Sequence, residues 1–411
     1  MNKNIKLAVA GAVLSLSATA ANAGIVIPAG DWTLDVGGIV NTYATWTKAD
    51  QANNIQGGLA GGSGKNTVNN MTTGLLPNYL SVSGTTRQND LDVSFTISIN
   101  PGSSTTSAGK QSSGQENRQA FLTFGDKSWG SVKVGKDLGI FASDAILNDM
   151  TLLGVGSGAG ILAGNQTTLG RIGTGFIYAD WKAQIAYTTP NFNGFQATVG
   201  LTQAWDQQTA YSTGTTTGTA LSMATTRRGG ASSAYEGKAS YSFSANDVAG
   251  KIWVSGLAQK VEGPAGVTLD DTVAYGGDIG ANINFAGFGL TGYYYGGSGI
   301  GRTVQFADGY STTGLQRDSD GGYVQATYVL PTKTKVGVSW GESNLDAANA
   351  ADQAVGSGVL VKKNEMWTVG VYHPLTKHLN LVAEWDHVKS ENQAGAENKA
   401  NTGSLGAILF F

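Results

Sequence analysis

Few residues in this 411-residue chain have the types and spacing of catalytic or metal chemistry. There is no cysteine, which removes thiolate nucleophiles, thiolate metal sites and disulfides together. The histidines are His373, His378 and His387. Two flank a predicted turn and the third lies on the following strand, a spacing unlike the H-E-x-x-H pair of a zinc helix. No G-x-S-x-G nucleophile elbow and no Walker loop occurs. The runs GVGSGAG and GGSG follow no strand–helix pattern. No Ser/His/Asp set, metal site or cofactor site therefore stands out, and an enzyme is not the expected reading. What remains is charge, and its use depends on the elements that carry it.

Those elements read as strands. The segment LDVSFTISIN (91–100) sends Leu91, Val93, Phe95, Ile97 and Ile99 one way and Asp92, Ser94, Thr96, Ser98 and Asn100 the other. That period of two marks a strand with one polar and one apolar face. Its length fits the roughly 9–11 residues that cross an outer membrane at a tilt. In WTLDVGGIVNTYATW (32–46), Leu34, Val36 and Val40 share a face, and Trp32 and Trp46 bracket the segment like two aromatic belts. Further strands are expected near 79–86, 118–124, 130–135, 182–188, 195–205, 234–244, 250–261, 272–285, 288–298, 321–330, 335–343, 365–374, 379–389 and 402–411. The connections alternate. Short ones (TRQND, GDKS, PNFNG, SAND, AGFG, PTKT, LTKH) separate long ones near 47–77, 101–116, 138–180, 206–233, 262–271, 299–320, 344–364 and 390–401. Seven short turns and eight long loops give sixteen strands, an even number. Tight turns at one end and long loops at the other are the layout of an all-β transmembrane barrel of a single domain. A soluble sandwich gives no reason for this segregation.

The termini point to the same compartment. Lys3 and Lys6 precede an apolar run, and Ala21-Asn22-Ala23 has the A-x-A form of a cleavage site. Residues 1–23 are expected to be a cleaved leader and residues 24–411 the barrel. The run is shorter than the ~20 residues of a spanning helix, and none that long follows Gly24. The last strand, NTGSLGAILFF, ends on Leu409-Phe410-Phe411. In a barrel this strand pairs with the first, and the terminal aromatic sits in the interfacial girdle. Glycine is frequent (60 residues) without a collagen period, and a formal charge of −3 argues against a nucleic-acid partner. Mean hydropathy is slightly below zero, as expected where only alternate residues meet lipid.

Several stretches resemble the general trimeric porins of Gram-negative outer membranes. ENRQAFLTFGDKSWGSVKVGKDLGIFASDAILNDM resembles the strand–turn–strand that precedes the porins' third loop. IAYTTPNFNGFQATVGL resembles their P-x-F-x-G-F hairpin. GGYVQATYVLPTKTKVGVSWGES, TVGVYHPLTKHLNLVAEW and the terminal Phe411 also fit. The resemblance implies that the third loop folds inward and narrows a channel. The segment 138–170, apolar, glycine-rich and without alternation, suits a loop packed on an inner wall. Carried over by position, Asp144 and Asp149 would supply acid on that loop. Arg118 would stand on the facing basic wall, with Lys133, Lys182 or Arg171. Lys133 shares parity with Ser131 and alternates with Val132 and Val134, which also turns it to the lumen. Lys136 matches a position nearer the subunit contact. The chain departs from the family at Tyr79, where a basic residue is expected, and at Leu153-Gly154-Val155-Gly156, where a proline–glutamate tip is absent. Phe411 would act as the C-terminal assembly signal.

Opposed carboxylates and cationic groups across a narrow passage set up a transverse field. It orients water and polar solutes and biases ion flow. The expectation is a homotrimeric outer-membrane porin for passive diffusion of ions and small hydrophilic solutes. Its partners would be outer-membrane lipid and lipopolysaccharide, and Arg227-Arg228 would be an exposed loop pair. The alternatives are a channel selective for sugars, phosphate or carboxylates, and an exported adhesin or binding barrel that conducts nothing.

Overall fold

The computed structural model describes residues 24–50, 52–60, 67–104, 114–157, 167–207, 227, 229–230, 232–263, 269–356 and 359–411. The expected leader, 1–23, lies outside them. Sixteen antiparallel strands close into one barrel. They are β1 (Trp32–Asp50), β2 (Tyr79–Gln88), β3 (Leu91–Pro101), β4 (Ala120–Asp126), β5 (Gly130–Leu138), β6 (Trp181–Thr188), β7 (Phe195–Thr202) and β8 (Ala234–Ala245). The second half is β9 (Val248–Val261), β10 (Thr272–Phe285), β11 (Phe288–Ser298), β12 (Asp318–Val329), β13 (Lys335–Leu345), β14 (Val361–Pro374), β15 (Leu379–Asn392) and β16 (Glu397–Phe410). Each strand pairs with its neighbours in sequence. β16 pairs with β1 from Lys399↔Asp50 to Phe410↔Ile39, so no barrel edge is left open.

The seam is finished by Phe411. Its N–H donates to Gly38 O (3.0 Å) and its carbonyl accepts from Gly38 N (2.7 Å). Gly38 is required there, because a Cβ would lie 2.3 Å from Tyr79 O and 2.7 Å from the Phe411 ring. A short strand, Ile25–Ala29, continues the line of β16 along Trp32–Val36. Two further short strands extend the opposite rim: Thr67–Thr72 along β1, and Gln115–Glu116 along the end of β3.

The alternation read from sequence is the alternation of the wall. Val40, Ile97, Val134, Ile185, Val199, Ile252 and Trp385 are exposed on the outer face. Their neighbours Asn41, Ser98, Lys133, Gln184, Lys251 and Glu384 turn inward. Tight turns use the backbone conformation that matches strand twist. Asn89 (φ 49°) and Asp90 (φ 62°) both take the left-handed region between β2 and β3, as do Ala286 and Gly287 between β10 and β11.

The connection expected to be long near 390–401 is instead a four-residue turn between Asn392 and Glu397. There Asn392 Oδ1 accepts from the backbone N–H of Ala394 and Ala396, and the strands run on to meet it. Most of the polar run 390–401 is therefore strand, lengthened above the apolar zone on both sides of this turn. Loop 3 (139–180) carries two short helical pieces, α1 (Ser143–Asn148) and a 3-10 turn (Met150–Leu153). Loop 7, between β13 and β14, carries α2 (Ala350–Gly356). Among the described residues no helix is long and apolar enough to cross a membrane.

Candidate functional site

Loop 3 leaves the top of β5 and turns into the barrel, and one carboxylate fixes its root. Glu236, inward on β8, accepts from the N–H of Ile140 and Phe141 (both 2.8 Å), from Lys182 Nζ (2.5 Å) and from Thr202 Oγ1 (3.1 Å). Ala142 (φ 62°) then reverses the chain into α1. Asp144 on α1 is claimed by two wall lysines: Lys238 of β8 at 3.2 Å and Lys251 of β9. Burial alone would raise its carboxyl, but the two ammonium groups outweigh that and hold it below the usual range.

The loop then crosses to the far wall. Gln325 of β12 accepts from Met150 N (2.7 Å) and donates to Asn148 O (3.1 Å). Tyr323 donates to Ala145 O, and Tyr43 of β1 donates to Leu153 O (2.6 Å). At the tip, Glu384 of β15 accepts from Val155 N (2.7 Å), Gly156 N (2.9 Å) and Tyr372 Oη (2.6 Å). Gly154 has no room for a Cβ, which would meet the same carboxylate. Glycine is therefore required at the second position of the tip Leu153-Gly154-Val155-Gly156. On the return arm, Arg171 donates to Met366 O (3.1 Å) and Thr368 Oγ1 (3.3 Å) of β14, with Asp149 at 3.8 Å. Burial raises the Asp149 carboxyl above the usual range, while Arg171 beside it pulls the other way.

The expected site residues are thus placed as follows. Arg118 is buried above the loop, paired with Glu116 (2.8 Å) and donating to Tyr178 Oη and Thr167 Oγ1 of the return arm. Lys133 faces the lumen, as its parity required, in a pair with Asp137. Lys182 is fully buried between Glu236 and the Trp205 ring. Arg171 is a correction: it stands on loop 3 itself, not on a wall opposite it, and fastens the loop to β14. Asp144 and Asp149 are a second correction. Both are on the loop, but both turn into the wall, because the lysines and the arginine that neutralise them lie there. The loop instead presents Leu147, which is 39% exposed, and half-buried Asn148. Tyr79 packs half-buried against the Ile39 and Phe410 cluster. Lys136 points outward to Asn117 O. Arg227 is buried, not exposed, donating to Gly314 O and Asp270 O, while Arg228 lies outside the described residues.

Loop 3 therefore bonds to wall strands β8, β9, β12, β13, β14, β15 and β1. Among the described residues, wall strands β2 to β5 carry no such bond from it; the contact on that side is Arg118, just before β4, at the rim. That wall is lined by half-buried hydroxyls: Ser81, Ser83, Ser94, Thr96, Thr123 and Ser131. Several pair across strands, Ser83 with Thr96 at 2.9 Å and Ser94 with Thr123 at 2.5 Å. The charges with exposed side chains near the loop are ammonium groups, Lys133 (32%) and Lys238 (27%), whereas their partners Asp137 and Asp144 are 11% and 5% exposed; toward the β2–β3 turn the wall also carries the exposed pair Arg87 and Asp92. Sequence reasoning missed Glu236, Lys238, Lys251, Glu384 and Asp386. The signal was present: each alternates with apolar or aromatic residues (Tyr235, Ile252, Trp385) and so had to point inward.

A family model described as Gram-negative porin matches residues 8–393. A search of curated sequences gives no match. Solved structures share the fold. The outer membrane channel DcaP of Acinetobacter baumannii aligns at 15% identity and TM-score 0.67, over 95% of this chain and all of that one. The anion-selective porin from Comamonas acidovorans aligns at 18% and 0.60, over 92% and 100%. Salmonella typhi OmpF in complex with daunomycin aligns at 12% and 0.59, over 94% and 100%.

Proposed function

The chain belongs to the Gram-negative porin family, and from that membership we propose how its lumen works. It is an outer-membrane channel for passive diffusion of small solutes. Solutes cross between loop 3 and the hydroxyl wall of β2–β5. The observation that carries this reading is the one-sided anchoring of the loop, which leaves that wall as the uncovered lining. A water-filled gap bounded by hydroxyls and by Leu147 and Asn148 exchanges hydrogen bonds with small polar solutes and lacks a strong opposed field at its surface. The exposed ammonium groups of Lys133 and Lys238 tilt it toward anions, with Arg118, Lys182, Arg171, Asp144 and Asp149 holding the loop rather than meeting the solute. Reversal potential under a KCl gradient tests this. A value on the anion side that moves toward zero in Lys238→Gln supports it, and cation selectivity in the wild type sinks it.

Three further parts of the reading rest on the outer surface and the ends. The exposed outward tyrosines Tyr187, Tyr235, Tyr241, Tyr275 and Tyr294 lie on β6–β11. The outer face of β2–β5 shows aliphatic residues such as Leu80, Val82, Ile97 and Leu122, a surface suited to protein rather than the lipid interface, so a homotrimer would be built on it. Above Trp340, Trp367 and Trp385, outward charges pair across strands: Lys363 with Glu342 and Glu365, and Lys389 and Lys399 with Glu397. This band is where lipopolysaccharide headgroups would be met. Residues 1–23 would be cleaved after Ala23, the end of the A-x-A motif, and Phe411 at the seam would serve as the assembly signal.

A further inference from the structure

Loop 6, between β11 and β12, is as completely buried as loop 3. Ile300, Arg302, Thr303, Phe306 and Ala307 are fully buried, and Gln305, Asp308 and Tyr310 nearly so. A loop on a barrel rim ordinarily lies in water, because its polar groups need partners there. This one finds them inside. Tyr178 N donates to Thr303 O at 2.8 Å, pairing loop 6 with the return arm of loop 3. Gln305 Nε2 donates to Tyr178 O (3.3 Å) and Ala179 O (3.2 Å). Arg302 bonds Asp308 at 2.6 Å and fills the space where a side chain at Gly57 of loop 1 would stand. Arg317 at the loop's end makes a two-pronged bond to Asp352 of α2, 2.7 Å on each arm.

The loop also keeps a backbone that its sequence does not favour. Phe306 has φ 66° and Asp308 φ 58°. A bulky aromatic in the left-handed region is an outlier that persists only where its surroundings over-determine it. Here the Phe306 ring is enclosed and its N–H donates to Ile300 O (2.7 Å).

We infer that loop 6 is a second constriction element: it caps the return arm of loop 3, occupies the lumen on the side of β9–β15, and confines solutes to the β2–β5 wall. The inference rests on the channel reading above and adds to it which segment sets the free cross-section. Arg171 fastens the return arm to β14, and the stretch at Tyr178 and Ala179 takes a second support. Loop 6 supplies the support through Thr303 and Gln305, which act as positioning residues for the constriction.

The test removes loop 6 at its neck. Gly309 lies against Gly299 and Gly301, with a Cβ at Gly309 placed 3.0 Å from Gly301 N. Joining Gly301 to Gly309 and deleting residues 302–308 therefore closes the loop without stretching the chain. Wild type and deletion are reconstituted in planar bilayers and in liposomes for swelling with sugars of increasing size. Conductance should rise roughly twofold or more, since it follows free cross-section, and larger sugars should enter. Equal conductance and an equal size limit in a folded, heat-modifiable deletion would overturn the inference while leaving the channel reading intact. A silent wild type opened by the deletion would support loop 6 and overturn the open channel. Silence in both would overturn both. Gln305→Ala with Phe306→Gly keeps the loop's length and should raise open-channel noise; wild-type traces from it would count against the supporting role.

Discussion

Glu236 is the residue whose removal should do most to loop 3 while touching no solute. In Glu236→Ala, Lys182 stays buried without its partner, which costs about 3–5 kcal/mol. The N–H groups of Ile140 and Phe141 lose their acceptor, at about 1–3 kcal/mol each. The net is on the order of 5 kcal/mol, concentrated where the loop leaves the wall. At about 1.4 kcal/mol per decade, the ratio of seated to unseated loop falls by on the order of 10³. Single-channel recording should show frequent substates and raised open-channel noise, and limited proteolysis should gain a cut in loop 3. Glu236→Gln with Lys182→Met removes both charges yet keeps an acceptor for the two amides, and it should recover quiet traces. The barrel itself should survive, because its ladders do not depend on this pair. Traces indistinguishable from wild type in Glu236→Ala would refute the anchoring argument. So would a double variant no quieter than the single one.

Other perturbations read other parts of the lumen. Asp144→Asn leaves Lys238 and Lys251 without a counter-charge, so the reversal potential under a KCl gradient should move toward anions; adding Asp149→Asn should change it little further, because Asp149 is sealed beneath the loop. Gly38→Val drives a side chain into Tyr79 O and the Phe411 ring, so the heat-modifiable form should disappear from gels. Asp352 is held below the usual carboxylate range, first by its hydrogen bonds to Arg317. A depressed carboxyl stabilises above its unfolded value of about 3.9 and loses that contribution as pH falls through the lower folded value. The clasp between loops 6 and 7 should therefore stay protected in hydrogen exchange from neutral pH down to about pH 4; early loss near pH 6 would contradict it.

The barrel was legible because a strand announces itself locally. LDVSFTISIN states which side chains face out of the barrel, and TRQND or AGFG states where the chain turns back. Parity also placed Lys133 correctly. The loops were less legible, because their shape is decided by partners far away in sequence. Asp144 reads as an acid on a lumenal loop until Lys238 and Lys251, about a hundred residues on, draw it into the wall. Arg171 reads as a wall base until Met366 O and Thr368 take its donors from across the barrel. Loop 6 carries no local sign of burial: its polar residues look like any rim loop, and only Tyr178 and Gly57 reveal that it faces inward. The 390–401 segment failed for the opposite reason. Its polar residues suggested a loop, yet β15 and β16 rise above the apolar zone, where a strand has no need of apolar side chains.

The most direct test of the central claim is single-channel conductance of the refolded mature protein in a planar bilayer. The account predicts stepwise openings with conductance close to linear in salt, as for a water-filled passage along the β2–β5 wall, and in groups of three if the trimer forms. A folded, heat-modifiable barrel that conducts nothing would mean that loops 3 and 6 together seal the lumen, and it would contradict the account.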